Sequence, residues 1–541
     1  MTPAPTPRPA TTIRDRAVRA AAPAMLLAMG LLLPFTGKAF TIDDTVFLRE
    51  AKHALGDPLH PTAFEIVWSE VPRPVRVAEV VPTGPLMAWL LVPAVAAGGS
   101  ENIAHLVQLV LLLLALGEVA ALALGLGMDE AAARRASLLL AASPAVVAMA
   151  GTAMPDVAAM TLGLVGIERL VAWRDGGGPA SGVAAALGLA LAPLARSHAL
   201  LLVGLAPFLL DSPRKGPAAL RQWLPVAAAP LLLVGLALAT RDPLAVAASP
   251  LKAVELFSSL ANLRRNTVAL GMHEVLMLPL GLAWMLSRGR RFWLGPWPWV
   301  GTALVAVLLV HGGEARWAWI APVAGCGLAV VADVAIDAIR SGDLARLALV
   351  AWSAAALPVL VYLHFPSKYL VPCAPAVVLL ASAALGTMPA RSARLVAAGV
   401  LLAGSVLSLA ILRADAAFAE VGRRAAEELV APRVDDGEKV WINGHWGFQW
   451  YAEEAGARIL TITPPFPAPG DLIVTSKVTI SEIPIQAFPR RELLATVTEK
   501  APGGRVLDAA AGAGLYSNAW GYLPWSWGND ELDRFELWRV H

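Results

Sequence analysis

The chain has 541 residues, of which 57% are hydrophobic and only 16% charged, and its mean hydropathy is +0.61. Soluble domains carry about 45–50% apolar and about 25% charged residues, so the composition excludes a string of soluble domains and indicates a polytopic membrane protein. A net charge of +2 leaves no basic face for nucleic acid, and two cysteines, Cys326 and Cys373, both within apolar runs, give neither a disulfide framework nor a zinc cluster.

Arg8, Arg14, Arg16 and Arg19 precede the apolar run Ala20 to Phe35. The positive-inside rule makes residues 1–19 a cytoplasmic tail, and the first span then exits outward. Gly37-Lys38-Ala39 would serve as a cleavage site were the run a signal peptide, and in either case the chain from Phe40 starts outside. Further runs of spanning length are Ile103 to Gly127, Ala136 to Ala153, Val157 to Trp173, Gly182 to Ala195, Ala199 to Leu210, Trp223 to Ala239, Val268 to Leu286, Phe292 to His311, Trp317 to Val334, Leu347 to Leu363, Leu370 to Leu385 and Leu395 to Leu412. With the first, they predict an all-α polytopic protein of about 13 transmembrane helices.

Gly84 to Gly98 is shorter and holds Pro85 and Pro93, so it reads as interfacial or re-entrant. Leaving it out puts Arg134, Arg135, Arg174, Arg214, Lys215, Arg221, Arg288, Arg290, Arg291, Arg340, Arg346, Arg391 and Arg394 inside. Short outer loops then keep only Arg196, Arg241, Lys252, Arg264, Arg265, Arg316 and Lys368. Counting the run as a span would invert every later loop against the rule. The expected organisation is a tail (1–19), a transmembrane module (20–412) with a large first outer loop (38–102), and a small extracytoplasmic α/β domain (413–541). In that last segment AFAEVGRRAAEELV and FQWYAEEAG have helical patterns, while KVWIN, ARILTI and DLIVTSK read as strands.

The first candidate site follows the first span. Asp43 and Asp44 open an amphipathic helix expected to lie along the membrane surface, with Phe47 and Ala51, beside Val46 and Leu48, on its apolar face. Aspartates at a helix start are often only caps. Two adjacent acids at a membrane-facing position also suit general-base work, one taking a proton while its neighbour orients it or adjusts its pKa. A second acid, Asp156, follows Ser143-Pro144 and Met154-Pro155, and span parity puts it on the same outer side as Asp43. On that side also lie Arg196-Ser197-His198 and Lys368-Tyr369-Leu370-Val371-Pro372, basic groups that snorkel or hold a phosphate. His311, Glu314 and Arg316 form a further outer group whose His-x-x-Glu spacing is a candidate metal site. His273-Glu274, inside an apolar run, reads as a packed polar pair. Trp293, Trp297, Trp299, Trp317 and Trp319 read as an interfacial belt.

The acid pair after the first span, with Phe47 and Ala51, resembles the signature of the GT-C membrane glycosyltransferases, in particular the protein O-mannosyltransferase and aminoarabinose transferase branch. That branch carries Asp-Glu, so Asp44 stands where a longer acid is usual. Arg134-Arg135, Ser143-Pro144 and Asp156 are similar to the second acidic site of the family, and Lys368-Tyr369-Leu370-Val371-Pro372 to its basic-Tyr-Leu-x-Pro element. The His-Pro-Pro common before the interfacial helix is replaced by Pro82-Thr83-Gly84-Pro85-Leu86.

The resemblance implies a glycosyltransferase of the cell (inner) membrane. It would move a sugar from a polyprenyl-phosphate donor to an acceptor hydroxyl of a lipid, glycan or protein on the outer face, inverting, with Asp43 as general base. Asp44 and Asp156 would orient the acceptor, or in the case of Asp156 a divalent metal where one is used. Arg196, His198, Arg316, Lys368 and Tyr369 would bind the substrate, with Arg196, Lys368 and Arg316 neutralising the leaving phosphate. A transporter or lipid flippase is the alternative, although the two related halves common in transporters are not evident. The aromatic cluster Asn443 to Tyr451 suits either stacking on sugar rings or packing of a small core.

Overall fold

The computed structural model describes residues 12–68, 71–80, 84–245, 260–479 and 483–541; Arg8, Pro82, Thr83 and Lys252 lie outside them. The protein is predominantly helical and multi-pass. Among the described residues seven helices are long and apolar enough to cross a membrane, or up to nine if each of two bent pairs is one span.

That count differs from the expected one because several apolar runs do not make one straight helix. Ala136 to Ala153 is divided between Glu130–Ala141 and Pro144–Ala150, bent by 57° where Pro144 cannot continue the hydrogen-bond ladder. Val268 to Leu286 is divided between Ala261–Leu276 and Pro279–Arg288, bent by 70°. Phe292 to His311 is divided between the end of the short helix Arg290–Trp293 and the helix Trp297–His311 of 15 residues, or ~22 Å against a hydrocarbon core of ~30 Å. Gly182 to Ala195 and Ala199 to Leu210 become helix Pro179–Ala195 and the 3-10 segment Ser197–Leu205, separated by Arg196 in extended conformation.

One helical hairpin matters most for the site. Asp156–Arg174 and Pro179–Ala195 pack back to back through Gly166 and Gly188, where a Cβ on Gly188 would lie 2.7 Å from the Gly166 nitrogen. Small residues at such a crossing let two backbones meet in a setting where lipid offers no hydrophobic drive between helices. Asp156 opens the first helix and Arg196 follows the second, so the hairpin returns both to the same end.

The segment 38–102 contains helix Asp44–Ala54, an antiparallel hairpin of Glu65–Trp68 with Val71–Arg76, and the 11-residue helix Leu86–Ala96. The amphipathic helix expected from Asp43 onward is present, but it is not laid on a surface: Val46, Phe47, Leu48 and Ala51 are all buried.

The helix Ala390–Ala425 runs without a break past residue 412 into the polar C-terminal segment. Beyond it lies a five-stranded sheet in the order Arg458–Ile459, Val440–Asn443, Leu472–Ser476, Glu531–Val540, Arg491–Lys500. The first three strands are parallel to one another, and Glu531–Val540 is antiparallel to both its neighbours. The helix Trp446–Glu454 packs on the segment 38–102: the Phe40 N–H donates to Tyr451 Oη at 2.8 Å, and the Trp450 ring meets Phe40 edge-on at 6.3 Å. The aromatic cluster at 443–451 is therefore largely a packing surface.

Candidate active site

Asp43 occupies the N-cap position of helix Asp44–Ala54, yet its side chain makes no capping hydrogen bond. Its Oδ2 instead accepts from Lys368 Nζ at 2.8 Å, across 325 residues of sequence. The turn that points it there is strained: Ile42 has φ of 46°, a left-handed conformation that β-branched residues rarely adopt. Asp44 holds this turn together. Its Oδ2 accepts from Thr41 N–H at 3.1 Å and its Oδ1 from Ala153 N–H at 2.8 Å. Because Ala153 lies just before Asp156, Asp44 ties the segment bearing Asp43 to the one bearing Asp156, and both its oxygens are occupied by backbone. Gln108 fastens the second segment from the far side by donating to the Met154 carbonyl at 2.7 Å.

Asp156 is fully buried and forms a two-pronged pair with Arg196, Nε to Oδ1 and Nη2 to Oδ2, each at 2.8 Å. Such fork-to-fork contacts fix orientation as well as charge. The Arg196 guanidinium also lies over the Tyr369 ring, 5.5 Å from its centre. Lys368 Nζ is 5.9 Å from the same ring, and the His198 imidazole meets it edge-on at 6.2 Å. Tyr369 is thus the common floor of two carboxylate–cation pairs, and Asp43, Asp156, Arg196, His198, Lys368 and Tyr369 form one cluster drawn from four separate segments.

The charges in the cluster are well defined. The Asp43 side chain is 35% accessible yet deeply surrounded by protein. Burial alone would push its carboxyl up, but the Lys368 ammonium, its hydrogen bond, and Arg196 together outweigh this and hold Asp43 below the usual carboxylate range. Asp44 goes the other way: burial, only partly offset by Lys38 and its two backbone donors, pushes it up to about 7. His364, just ahead of Lys368, is pushed down to about 3 by burial and by the Lys368 charge, so it stands neutral.

Other candidates lie elsewhere. Arg316 stacks on Trp317 at 5.0 Å and has no contact with the cluster. Glu314 accepts a hydrogen bond from Tyr522 Oη, and His311 is exposed. Among the described residues no group of three His, Cys, Asp or Glu side chains gathers that would hold a metal ion. Both oxygens of Asp156 are taken by Arg196, so the donor set at the cluster does not fit a resident metal. His273 and Glu274 are both buried as expected of the pair, but His273 Nε2 has the Phe365 carbonyl, at 3.1 Å, as its partner rather than Glu274.

Two features were not singled out from the sequence. His364 lies in the segment before Lys368, its Nε2 3.5 Å from Tyr369 Oη. The His-Phe-Pro just ahead of Lys368 was the signal available. Lys38 and Asp415 form a buried ion pair, completed by Tyr516 Oη donating to Asp415 at 2.7 Å. A lysine ending the first span and an aspartate on the last one carry no local signature of pairing.

No family model matches the chain, and no curated protein matches it in sequence. Among solved structures, it is similar to the Archaeoglobus fulgidus oligosaccharyltransferase in complex with zinc and sulfate, with 12% identity and a TM-score of 0.50 over 84% of this chain and 68% of that one. ArnT from Cupriavidus metallidurans bound to undecaprenyl phosphate gives 14% identity and a TM-score of 0.50 over 88% of this chain and 96% of that one. The same protein in its apo state gives 13% and 0.51 over 97% of each chain. At these identities the likeness is one of fold: the chain shares the fold of the oligosaccharyltransferase and ArnT structures.

Proposed function

We propose that the protein is an inverting membrane glycosyltransferase that takes a sugar from a polyprenyl-phosphate donor. The observation that carries this reading is the convergence of Asp43–Lys368 and Asp156–Arg196 around Tyr369. A fold shared with a protein that binds undecaprenyl phosphate supports the donor class.

The isoprenoid tail stays in lipid while the phosphate reaches Lys368 and Arg196, cations in a water-poor setting where each charge contact is strengthened. The acceptor hydroxyl attacks the anomeric carbon, its proton passes to Asp43, the bond from that carbon to the phosphate oxygen breaks, and polyprenyl phosphate leaves with its charge held by the two cations. In the donor-free protein Lys368 is engaged by Asp43. A donor phosphate competes for that ammonium, and as the pair loosens the Asp43 carboxylate becomes more basic, so donor binding itself readies the base. Asp156, expected from the sequence to orient the acceptor, has both oxygens bonded to Arg196 and instead fixes that guanidinium for the phosphate. The reading further places the cluster and the segment 413–541 on the outer face of the cell (inner) membrane.

Purified protein is incubated with radiolabelled polyprenyl-phosphate sugars and lipid, glycan and protein acceptors. Release of free polyprenyl phosphate by the wild type, abolished in Asp43→Asn at normal expression, is the expected result. Binding of donor without release across the panel would overturn the reading in favour of a transporter or flippase.

A further inference from the structure

Three consecutive residues of the C-terminal segment bond the long helix and the segment just ahead of Lys368. Tyr516 Oη donates to Asp415 on the long helix at 2.7 Å, and Asp415 pairs with Lys38 at the end of the first span. Ser517 Oγ lies 3.2 Å from His364 Nδ1. Asn518 accepts from the Phe365 N–H at 2.9 Å and donates to Asn266 Oδ1 at 2.9 Å. Asn266 in turn donates to the carbonyls of Leu360 and Tyr362 at 2.9 and 2.7 Å. The segment 360–365 is therefore clamped from both sides.

The contacts continue into the cluster. Ser517 Oγ accepts from the Ala519 N–H at 3.2 Å and is within hydrogen-bond distance of His364 Nδ1. The other ring nitrogen, Nε2, faces Tyr369 Oη at 3.5 Å. Tyr369 lies beneath Arg196 and next in sequence to Lys368. Tyr516 and Asn518 are both buried, so these bonds form away from competing water.

We propose that Tyr516-Ser517-Asn518 is a positioning element for the phosphate-binding cations, acting through His364 on Tyr369, so that the C-terminal segment completes the site rather than forming a separate appendage. This rests on the glycosyl-transfer reading above. Its residues touch no substrate; they set where the Tyr369 floor, and with it Arg196 and Lys368, stand when phosphate charge develops.

The test is steady-state release of polyprenyl phosphate by full-length Ser517→Ala, Ser517→Thr, Asn518→Ala and wild type, with rates referred to folded protein measured by gel filtration and thermal unfolding. Leaving-group stabilisation acts in the transition state while the tail supplies ground-state binding. Ser517→Ala should therefore lower kcat about tenfold with donor KM within about twofold, and Ser517→Thr, which keeps the hydroxyl, should recover to within about threefold. A purely structural role would lower the unfolding temperature and leave kcat per folded molecule unchanged. Wild-type kcat in Ser517→Ala and Asn518→Ala, or no recovery in Ser517→Thr, overturns the inference. A wild type that releases nothing overturns the transfer reading instead.

Discussion

Neutralising Asp43 should move two quantities in opposite directions. In Asp43→Asn the base is lost, and general-base catalysis is worth about 10²–10⁴-fold, so kcat should fall by that factor. Donor binding should tighten, because Lys368 is no longer held by a carboxylate. Their separation is 2.8 Å, for which direct attraction at an effective dielectric of about 20 is ~6 kcal/mol. That figure overstates the net effect, since Asp43 is 35% accessible and water screens the pair. Partly exposed pairs are worth about 1 kcal/mol net. The polyprenyl-phosphate Kd should accordingly drop about three- to tenfold, read by equilibrium binding of undecaprenyl phosphate in detergent, with kcat from product release on the same preparations. Retained turnover would remove Asp43 from the base role. Weaker donor binding in Asp43→Asn would refute the claim that donor phosphate and Asp43 compete for one ammonium.

Arg196→Lys should lower activity at least tenfold, because a single ammonium cannot span both oxygens of Asp156 or cover the Tyr369 ring; wild-type kcat/KM would count against a two-pronged requirement. Asp156→Ala leaves a buried guanidinium unpaired and should cost about 3–5 kcal/mol, visible as a large loss of thermal stability in detergent. Asp44 has a folded value raised to about 7, so the folded state keeps a proton that the unfolded chain gives up, and its contribution falls as pH rises from about 4 to about 7. Unfolding temperatures measured across that window should therefore decline less steeply in Asp44→Asn than in the wild type, and parallel slopes would contradict the assignment. A Cβ at Gly188 meets the Gly166 backbone at 2.7 Å, so Gly188→Val should destabilise the hairpin by about 1–3 kcal/mol and depress activity by displacing Asp156 from Arg196; unchanged stability would show that the crossing tolerates separation.

Fold class was legible because composition and apolar run length are bulk properties of a chain that must satisfy its backbone within lipid. Span count was less so. Ser143-Pro144 and Leu278-Pro279 lie inside hydropathic runs, and a hydropathy window sees neither the 57° nor the 70° bend they accompany. In the C-terminal segment, strands Val440–Asn443 and Leu472–Ser476 were readable from their β-branched runs. Arg491–Lys500 and Glu531–Val540 were not, since charged pairs close both ends of the first and charged residues are scattered along the second. Within the site, Asp43, Asp156, Arg196 and Lys368 were nameable as outer-side polar residues beside apolar runs. Their pairing was not, because Asp43 and Lys368 are separated by 325 residues and only the folded bundle brings them together.

Asp44 shows what such a reading passes over. Next to Asp43 in sequence, it looks like the second half of a catalytic pair, but an αR turn after a strained Ile42 sends consecutive side chains to different surroundings. Asp43 reaches Lys368, while Asp44 turns inward to two backbone N–H groups, one of them at Ala153. Its contribution is to bring the two aspartate-bearing segments into register. A longer acid at this position would have to fold back to make the same two bonds. Asp44→Glu should therefore disturb the spacing between Asp43 and Asp156 more than its unchanged charge suggests, and Asp44→Asn should disturb it because one amide –NH₂ would face a backbone donor. An unsatisfied buried donor costs about 1–3 kcal/mol. Should Asp44→Glu instead match the wild type in both unfolding temperature and kcat, Asp44 would not set that register, and its carboxylate would have to be assigned to the chamber rather than to the fold.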